Sequence, residues 1–265
     1  MNSSKIQKRD FAQTLARGMA CLEVLAGQAL PASNPEIAAK MRVSRAAGRR
    51  ILLTLESLGY VREERGHYAV TPKVLSLGRS VLISGGVWNS VAPEVVAVAD
   101  RFNEPCSVSI LDGLDIVYVC RDATRRIYSS RLGIGDRLPA HCSASGKMLL
   151  SALSEQDLEN RLKGVRLKRC GPASLCDSAT LKRALARVKA NDFATAVDEM
   201  EDGLISIAVP LRKRDKSVVG AMALASHRSR MSHTELKRRV LPALREAAAR
   251  AESIIHDFQD RNWIL

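Results

Sequence analysis

Arg45, Arg49 and Arg50 fall within one short run, SRAAGRR, whose side chains suit a polyanion. Arg45 and Arg49 are four residues apart, so on a helix they project from the same side. A guanidinium pairs bidentately with guanine O6 and N7, or binds a phosphate oxygen. Ala46 offers a methyl that suits a thymine methyl, and Ser44 stands where a hydroxyl caps a helix start. An Arg-rich helix face standing alone is ordinarily solvated surface. Its neighbours change that reading: a short helical segment ends just upstream, and a strand–turn–strand carrying Arg62 and Arg65 follows. Ser44, Arg45, Ala46, Arg49 and Arg50 are the expected contacts to double-stranded DNA, with Arg62 and Arg65 on adjacent phosphates. The spacing does not say which Arg reads a base.

A second run, His141-Cys142-Ser143-Ala144-Ser145-Gly146, supplies small residues at a helix start near Ser143 or Ser145. Backbone N–H groups at a helix N-terminus suit a small carboxylate in a concave site. Arg131, on the preceding strand candidate, is the expected cation if it points inward. Cys142 beside His141 also sketches a nucleophile and base, hence a cysteine-dependent enzyme. Sequence neighbours rarely point at each other, and H-E-x-x-H, G-x-S-x-G and P-loop motifs are absent. No catalytic residue is expected. The six cysteines, at 21, 106, 120, 142, 170 and 176, form no C-x-x-C and no zinc-finger spacing, so no metal or cofactor is expected either.

The elements that must carry these residues are legible from periodicity. In residues 10–26, Phe11, Leu15, Met19, Leu22 and Leu25 form one apolar helix face, with Gly27 as stop. Asn34, followed by Pro35, is the expected cap of a short helix with Ile37, Ala38 and Met41 inside. After a break at Met41–Val43, Ser44 caps a longer helix to Leu58, with Gly48, Leu52 and Leu55 inward. Tyr60–Arg62 and His67–Val70 flank the turn EERG as a hairpin. Pro72 opens a further helical stretch, and Gly85-Gly86 mark a joint.

Beyond it come a helix after Pro93, a strand pair in SVSILDGLDIVYVCR, a strand candidate in RRIYSSRLG and a helix in SASGKMLLSAL. Helices in LSEQDLENRL and DSATLKRALARVKAND follow, then strands GLISIAVPLR and SVVGAMALAS around KRDK, and a long terminal helix. This mixture indicates α+β. The expected organisation is an α-rich winged helix-turn-helix at 1–71, a helical linker at 72–90 and an α+β domain at 91–265.

Composition agrees. The net charge is +13, and residues 1–80 hold 13 Lys and Arg against 6 Asp and Glu. Over half of the excess therefore sits in under a third of the chain, which favours a nucleic-acid partner. The start, MNSSKIQKRD, lacks a signal-peptide apolar core, and no apolar run approaches the ~18 residues needed to span a membrane. A reduced, cytoplasmic protein without membrane contact is expected.

The segments FAQTLARGMACLEVL, VSRAAGRRILLTLESLGYV, YAVTPKVLSLG, RLPAHCSASGKMLLSAL and DEMEDGLISIAVPL together resemble the isocitrate-lyase-regulator (IclR) family of transcription factors, over nearly the whole chain. LPAHCSASGK is the most specific stretch. SRAAxRRxLLTL and LARGxxxLE are most similar to regulators of protocatechuate and 4-hydroxybenzoate breakdown. The resemblance implies a GAF-like effector domain in which Ser143, Ala144 and Ser145 touch the effector, with Glu199 and Ser206 near it and His141 and Cys142 alongside. It implies a homodimer or dimer of dimers, an operator, and RNA polymerase as a further partner. The effector is expected to be a small organic acid from aromatic catabolism; regulation of a non-aromatic carbon pathway, of glyoxylate or sugar-acid type, is the alternative. Two positions depart from the family pattern. Gly48 replaces a larger apolar residue, which predicts a weakened recognition helix over a core short of one side chain. Ala223 and Ala225 replace polar residues, which predicts a more apolar pocket.

Overall fold

A computed structural model describes residues 10–28, 30–77, 86–122 and 132–260. Two compact units divide between Ile83 and Ser84, inside the stretch expected as linker. Residues 78–85 of that stretch, and Arg131 with most of RRIYSSRLG, lie outside the described residues.

The first unit runs α1 (Gln13–Ala26), β1 (Ala32–Ser33), α2 (Asn34–Lys40), α3 (Arg45–Ser57), β2 (Val61–Glu64) and β3 (His67–Val70). Its core joins Leu22 and Leu25 of α1 to Ile37, Leu52, Leu55, Val61 and Tyr68. The α1 face reads differently from expectation. Only its C-terminal part is buried, and Phe11, Leu15 and Met19 are exposed, Leu15 by 66%. The small core behind a seven-residue α2 is too short to cover the whole helix. The cap of α2 is Ser33 rather than Asn34: Glu36 accepts from the Ser33 N–H at 2.8 Å and its hydroxyl at 2.7 Å. These bonds hold the Glu36 carboxyl below its ordinary pKa.

The hairpin is tighter than EERG suggests. Glu64 pairs with His67, leaving a two-residue turn of Arg65 and Gly66, both at positive φ. That is the turn whose twist matches antiparallel strands. β1 completes a three-stranded sheet that periodicity did not reveal, because two residues carry no alternation.

Gly48 overturns its expectation. A Cβ there would lie 2.8 Å from Asn34 Oδ1 and 3.1 Å from Ala38 Cβ. The core lacks no side chain at this point; the backbones of α2 and α3 close onto each other instead. Glycine still lowers helix propensity by about 1 kcal/mol against Ala, but it sets the spacing of the two helices. Restoring the larger residue in Gly48→Leu should therefore destabilise the protein by about 1–3 kcal/mol through overpacking. A thermal melt showing unchanged or higher Tm would contradict this.

The second unit begins with α4 (Gly86–Phe102). It starts seven residues before Pro93 rather than after it. Val87, Val91, Val95 and Val98 form one buried stripe across the proline, and that burial outweighs one missing backbone hydrogen bond. Strands β4 (Cys106–Asp112), β5 (Asp115–Asp122), β6 (Arg137–Pro139), β7 (Ala194–Val197), β8 (Leu204–Arg212) and β9 (Val218–His227) form an antiparallel sheet in the order β6-β5-β4-β9-β8-β7. Between them lie α5 (Ala144–Ser151), α6 (Glu155–Leu162) and α7 (Ser178–Asn191). A π-helical turn, Leu236–Val240, leads into α8 (Leu241–Asp260).

Strand alternation sorts the sheet faces by size. Ile205, Ile207, Val209, Leu211, Met222 and Leu224 pack under α4 and α8. Ala208, Ala221 and Ala223 face α5 and α7 on the other side. Small side chains there let α5 approach the sheet and leave a cavity beside its start.

Candidate functional site

Two places gather the expected residues. On α3 the Ser44 hydroxyl accepts from the Ala47 N–H at 3.2 Å, fixing the helix start. Asn34 Nδ2 donates to the Arg45 carbonyl at 3.1 Å, tying α2 to the first turn of α3. Leu52 and Leu55 are buried while Ser44, Arg45, Ala46, Arg49 and Arg50 are all exposed. Arg42, in the left-handed region at φ 55°, makes the sharp turn between the helices. Arg65 stands at the tip of the β2–β3 wing. Arg62 lies 3.4 Å from Glu64, but both are more than half exposed, so the pair is weak.

The second place is a cavity of about 60 Å³ at the start of α5. At roughly 10–15 Å³ per water it has room for several waters, and it continues into a neighbouring hollow past Tyr118, Arg121 and Met200. Cys142, Ser143, Ala144, Ser145, Glu199, Ser206, Ala223 and Ala225 all line it. Ser143 is the cap of α5, its hydroxyl accepting from the Gly146 N–H at 3.0 Å. A side chain at Gly146 would collide with the Ala140 carbonyl, so glycine seats the turn against the helix.

His141 does not line the cavity. It is buried, with Nε2 2.9 Å from the Lys168 carbonyl oxygen. Nor do His141 and Cys142 diverge as sequence neighbours were expected to. The 3₁₀ turn Ala140–Cys142 brings a His141 ring nitrogen and the sulfurs of Cys142 and Cys170 within 4.8 Å of one another. Metal-ligand spacing in the sequence missed this group because Cys170 comes from a distant loop. Burial pushes the Cys142 thiol up to about 12. It is protonated at neutral pH and is no activated nucleophile.

Polar groups at the cavity that the sequence reading did not single out include a pair on one strand. Tyr118 and Arg121 come from β5, the guanidinium carbon 5.0 Å from the ring centroid. Strict alternation would place them on opposite faces. A bulge intervenes: Val108 pairs with Cys120 but Ser109 with Tyr118, so Val119 is the extra residue and Arg121 returns to the cavity face opposite Ser107. Burial raises the Tyr118 phenol above its ordinary pKa, and Arg121 partly offsets this. Behind the cavity wall, Lys147 in the first turn of α5 pairs with Glu199. Its Nζ lies 2.5 Å from Glu199 Oε1, and its side chain is only 5% exposed. Burial lowers the Lys147 pKa against the pull of Glu199. The other Glu199 oxygen, Oε2, is buried and has no hydrogen-bond partner among the described residues.

Residues 80–253 match the family described as bacterial transcriptional regulator IclR C-terminal, and residues 14–65 match the IclR helix-turn-helix domain. The chain belongs to the IclR family. It is a DNA-binding transcription regulator with an effector-binding domain. The Pca regulon regulatory protein of Pseudomonas putida is 34% identical over 90% of this chain and 82% of its own length. A transcriptional regulator from Rhodococcus sp. RHA1 superposes with a TM-score of 0.78 at 33% identity, covering 92% of this chain and 98% of that one. The inducer-binding domain of an Acinetobacter PobR double mutant, solved with 3-hydroxybenzoic acid, gives a TM-score of 0.57 at 27% identity, over 62% of this chain and 96% of that one. The resemblance to regulators of aromatic breakdown and the two-domain architecture both stand. No described helix is long and apolar enough to cross a membrane.

Proposed function

We propose that this IclR-family regulator controls genes of aromatic-acid catabolism and that its effector is a hydroxylated aromatic carboxylate. The α5 cavity carries the reading. It sets the Arg121 guanidinium, the helix start at Ser143–Ser145 and the apolar walls Ile116, Leu138 and Met200 around one space. Arg121 or the α5 backbone N–H groups hold the carboxylate. The buried Glu199 Oε2 accepts a hydroxyl donated by the ligand. Ala223 and Ala225 keep the floor apolar, which suits a ring. The hydroxybenzoate in the PobR inducer domain and the Pca regulon relative support the same class.

DNA is held by the exposed face of α3 and the wing, in a homodimer reading two half-sites. The exposed apolar stripe Phe11, Leu15 and Met19 supports self-association, and contact with RNA polymerase belongs to the same reading. Effector acts by binding the DNA-competent and incompetent states with different affinities.

A thermal-shift panel tests the effector class. A ligand at 100 times its Kd stabilises by about 2.7 kcal/mol, so hydroxybenzoates should raise Tm clearly. Arg121→Met should weaken that response at least tenfold in apparent affinity. A response to glyoxylate or sugar acids alone would overturn the aromatic reading.

A further inference from the structure

Cys142 and Cys170 are 28 residues apart in sequence, yet their sulfurs lie 2.9 Å apart. Non-bonded heavy atoms normally pack at about 3.5–4.0 Å, so the pair is already closer than ordinary contact. The two differ in access: Cys142 is fully buried and Cys170 is half-buried. Around them stand the Lys168 carbonyl, 3.8 Å from Cys170 Sγ, the Ser174 hydroxyl, 3.8 Å from Cys142 Sγ, and the His141 ring. Cys106 and Cys120, by contrast, are both buried in the opposite layer of the domain.

Only one of the two sulfurs, that of Cys142, lies on the cavity wall. Cys142 immediately precedes Ser143, the α5 cap. Cys170 opens the loop that holds the Glu199 segment. In that loop the Gly171 N–H donates to the Glu199 carbonyl at 3.0 Å, and the Ser174 hydroxyl donates to the same oxygen at 2.6 Å. The Ala173 N–H donates to the Asp198 carbonyl at 2.9 Å. A side chain on Gly171 would meet the Asp198 carbonyl at 2.5 Å, so the loop is seated tightly. A covalent link between the sulfurs would join the start of α5 to the segment bearing Glu199.

We propose that Cys142 and Cys170 form a reversible disulfide when the protein meets a peroxide, and that this bond weakens effector binding by drawing the start of α5 toward the Cys170 loop. The accessible Cys170 sulfur attacks one peroxide oxygen. The O–O bond breaks, leaving Cys170 as a sulfenic acid and releasing one water. The Cys142 sulfur then attacks the Cys170 sulfur. The S–O bond breaks, and the oxygen leaves as a second water with the Cys142 proton, which the nearby His141 ring can carry. Two thiols lose two electrons and two protons, and one peroxide becomes two waters. A dithiol reductant reverses the bond by exchange. Disulfides in reducing compartments are usually of this transient, sensing kind.

The test uses the full-length protein, reduced, freed of metal with a chelator and treated with stoichiometric hydrogen peroxide. Alkylation and peptide mass mapping should show a Cys142–Cys170 cross-linked peptide, removed by dithiothreitol and absent from Cys170→Ser. Cys170→Ala serves as a second variant if the serine form folds poorly. Oxidised wild-type protein should bind 4-hydroxybenzoate at least fivefold more weakly than reduced protein, while oxidised Cys170→Ser keeps the reduced affinity. Peroxide that leaves both thiols free, or takes Cys170 to sulfinic acid without a cross-link, overturns the proposal. So does a metal ion retained by His141, Cys142 and Cys170 that resists the chelator and blocks oxidation. A cross-link without change in affinity overturns its regulatory half. The effector assignment fails separately, if reduced protein ignores hydroxybenzoates; the affinity comparison then uses whichever acid the thermal-shift panel identifies.

Discussion

Lys147→Met should cost the second unit about 3–5 kcal/mol, because it leaves Glu199 as a buried carboxylate without its cation. The Lys147 ammonium is the ion-pair partner of Glu199, and both side chains are almost wholly out of water. At roughly 2–4 °C per kcal/mol for a unit of this size, Tm should fall by about 6–20 °C. The double variant Lys147→Met with Glu199→Gln should recover most of the loss, since no charge then remains buried. A Tm drop under 2 °C would show that the pair is not the structural contact described.

Alanine at both Arg45 and Arg49 should abolish measurable operator binding without disturbing the fold. Both side chains are exposed and neither belongs to the core of the first unit, so removing them takes nothing from it. Each Arg that reads a base is worth about 1–3 kcal/mol, roughly 5- to 150-fold in affinity. The single variants separate the roles. A base-reading Arg, once lost, relaxes sequence preference at one position. A phosphate-binding Arg, once lost, weakens all sequences alike and lowers the salt slope by about 1. Gel shifts at several salt concentrations measure both. Full affinity in both single variants would remove α3 from the DNA.

Local signals act over a few residues, and those the sequence stated plainly. The Ser44 cap and the strand alternation of β8 and β9 sit within one turn or one pleat of the residues they organise. Glu199, Ser206 and the small residues of HCSASG were within reach because they travel with a family pattern. Cys142, Ser143, Ala144, Ser145, Glu199 and Ser206 line one cavity.

What escaped was set by contacts between distant segments. Arg121 joins Tyr118 only because the ladder slips at Val119, and alternation alone cannot announce a bulge. Phe11, Leu15 and Met19 have a helix's spacing whether or not anything covers them.

The DNA-binding head with which the sequence begins thus divides cleanly. Residue order alone determined that a capped helix would present Arg45, Ala46, Arg49 and Arg50 on one side, since that follows from 3.6 residues per turn. Tertiary structure decided the meaning of Gly48, because only the meeting of α2 and α3 shows that a missing side chain is a close approach and no cavity. It likewise decided that Lys147 meets Glu199, 52 residues on, and that Cys142 meets Cys170. Those partners are chosen by how α5 and its neighbouring loop pack on the sheet, and no local periodicity encodes them.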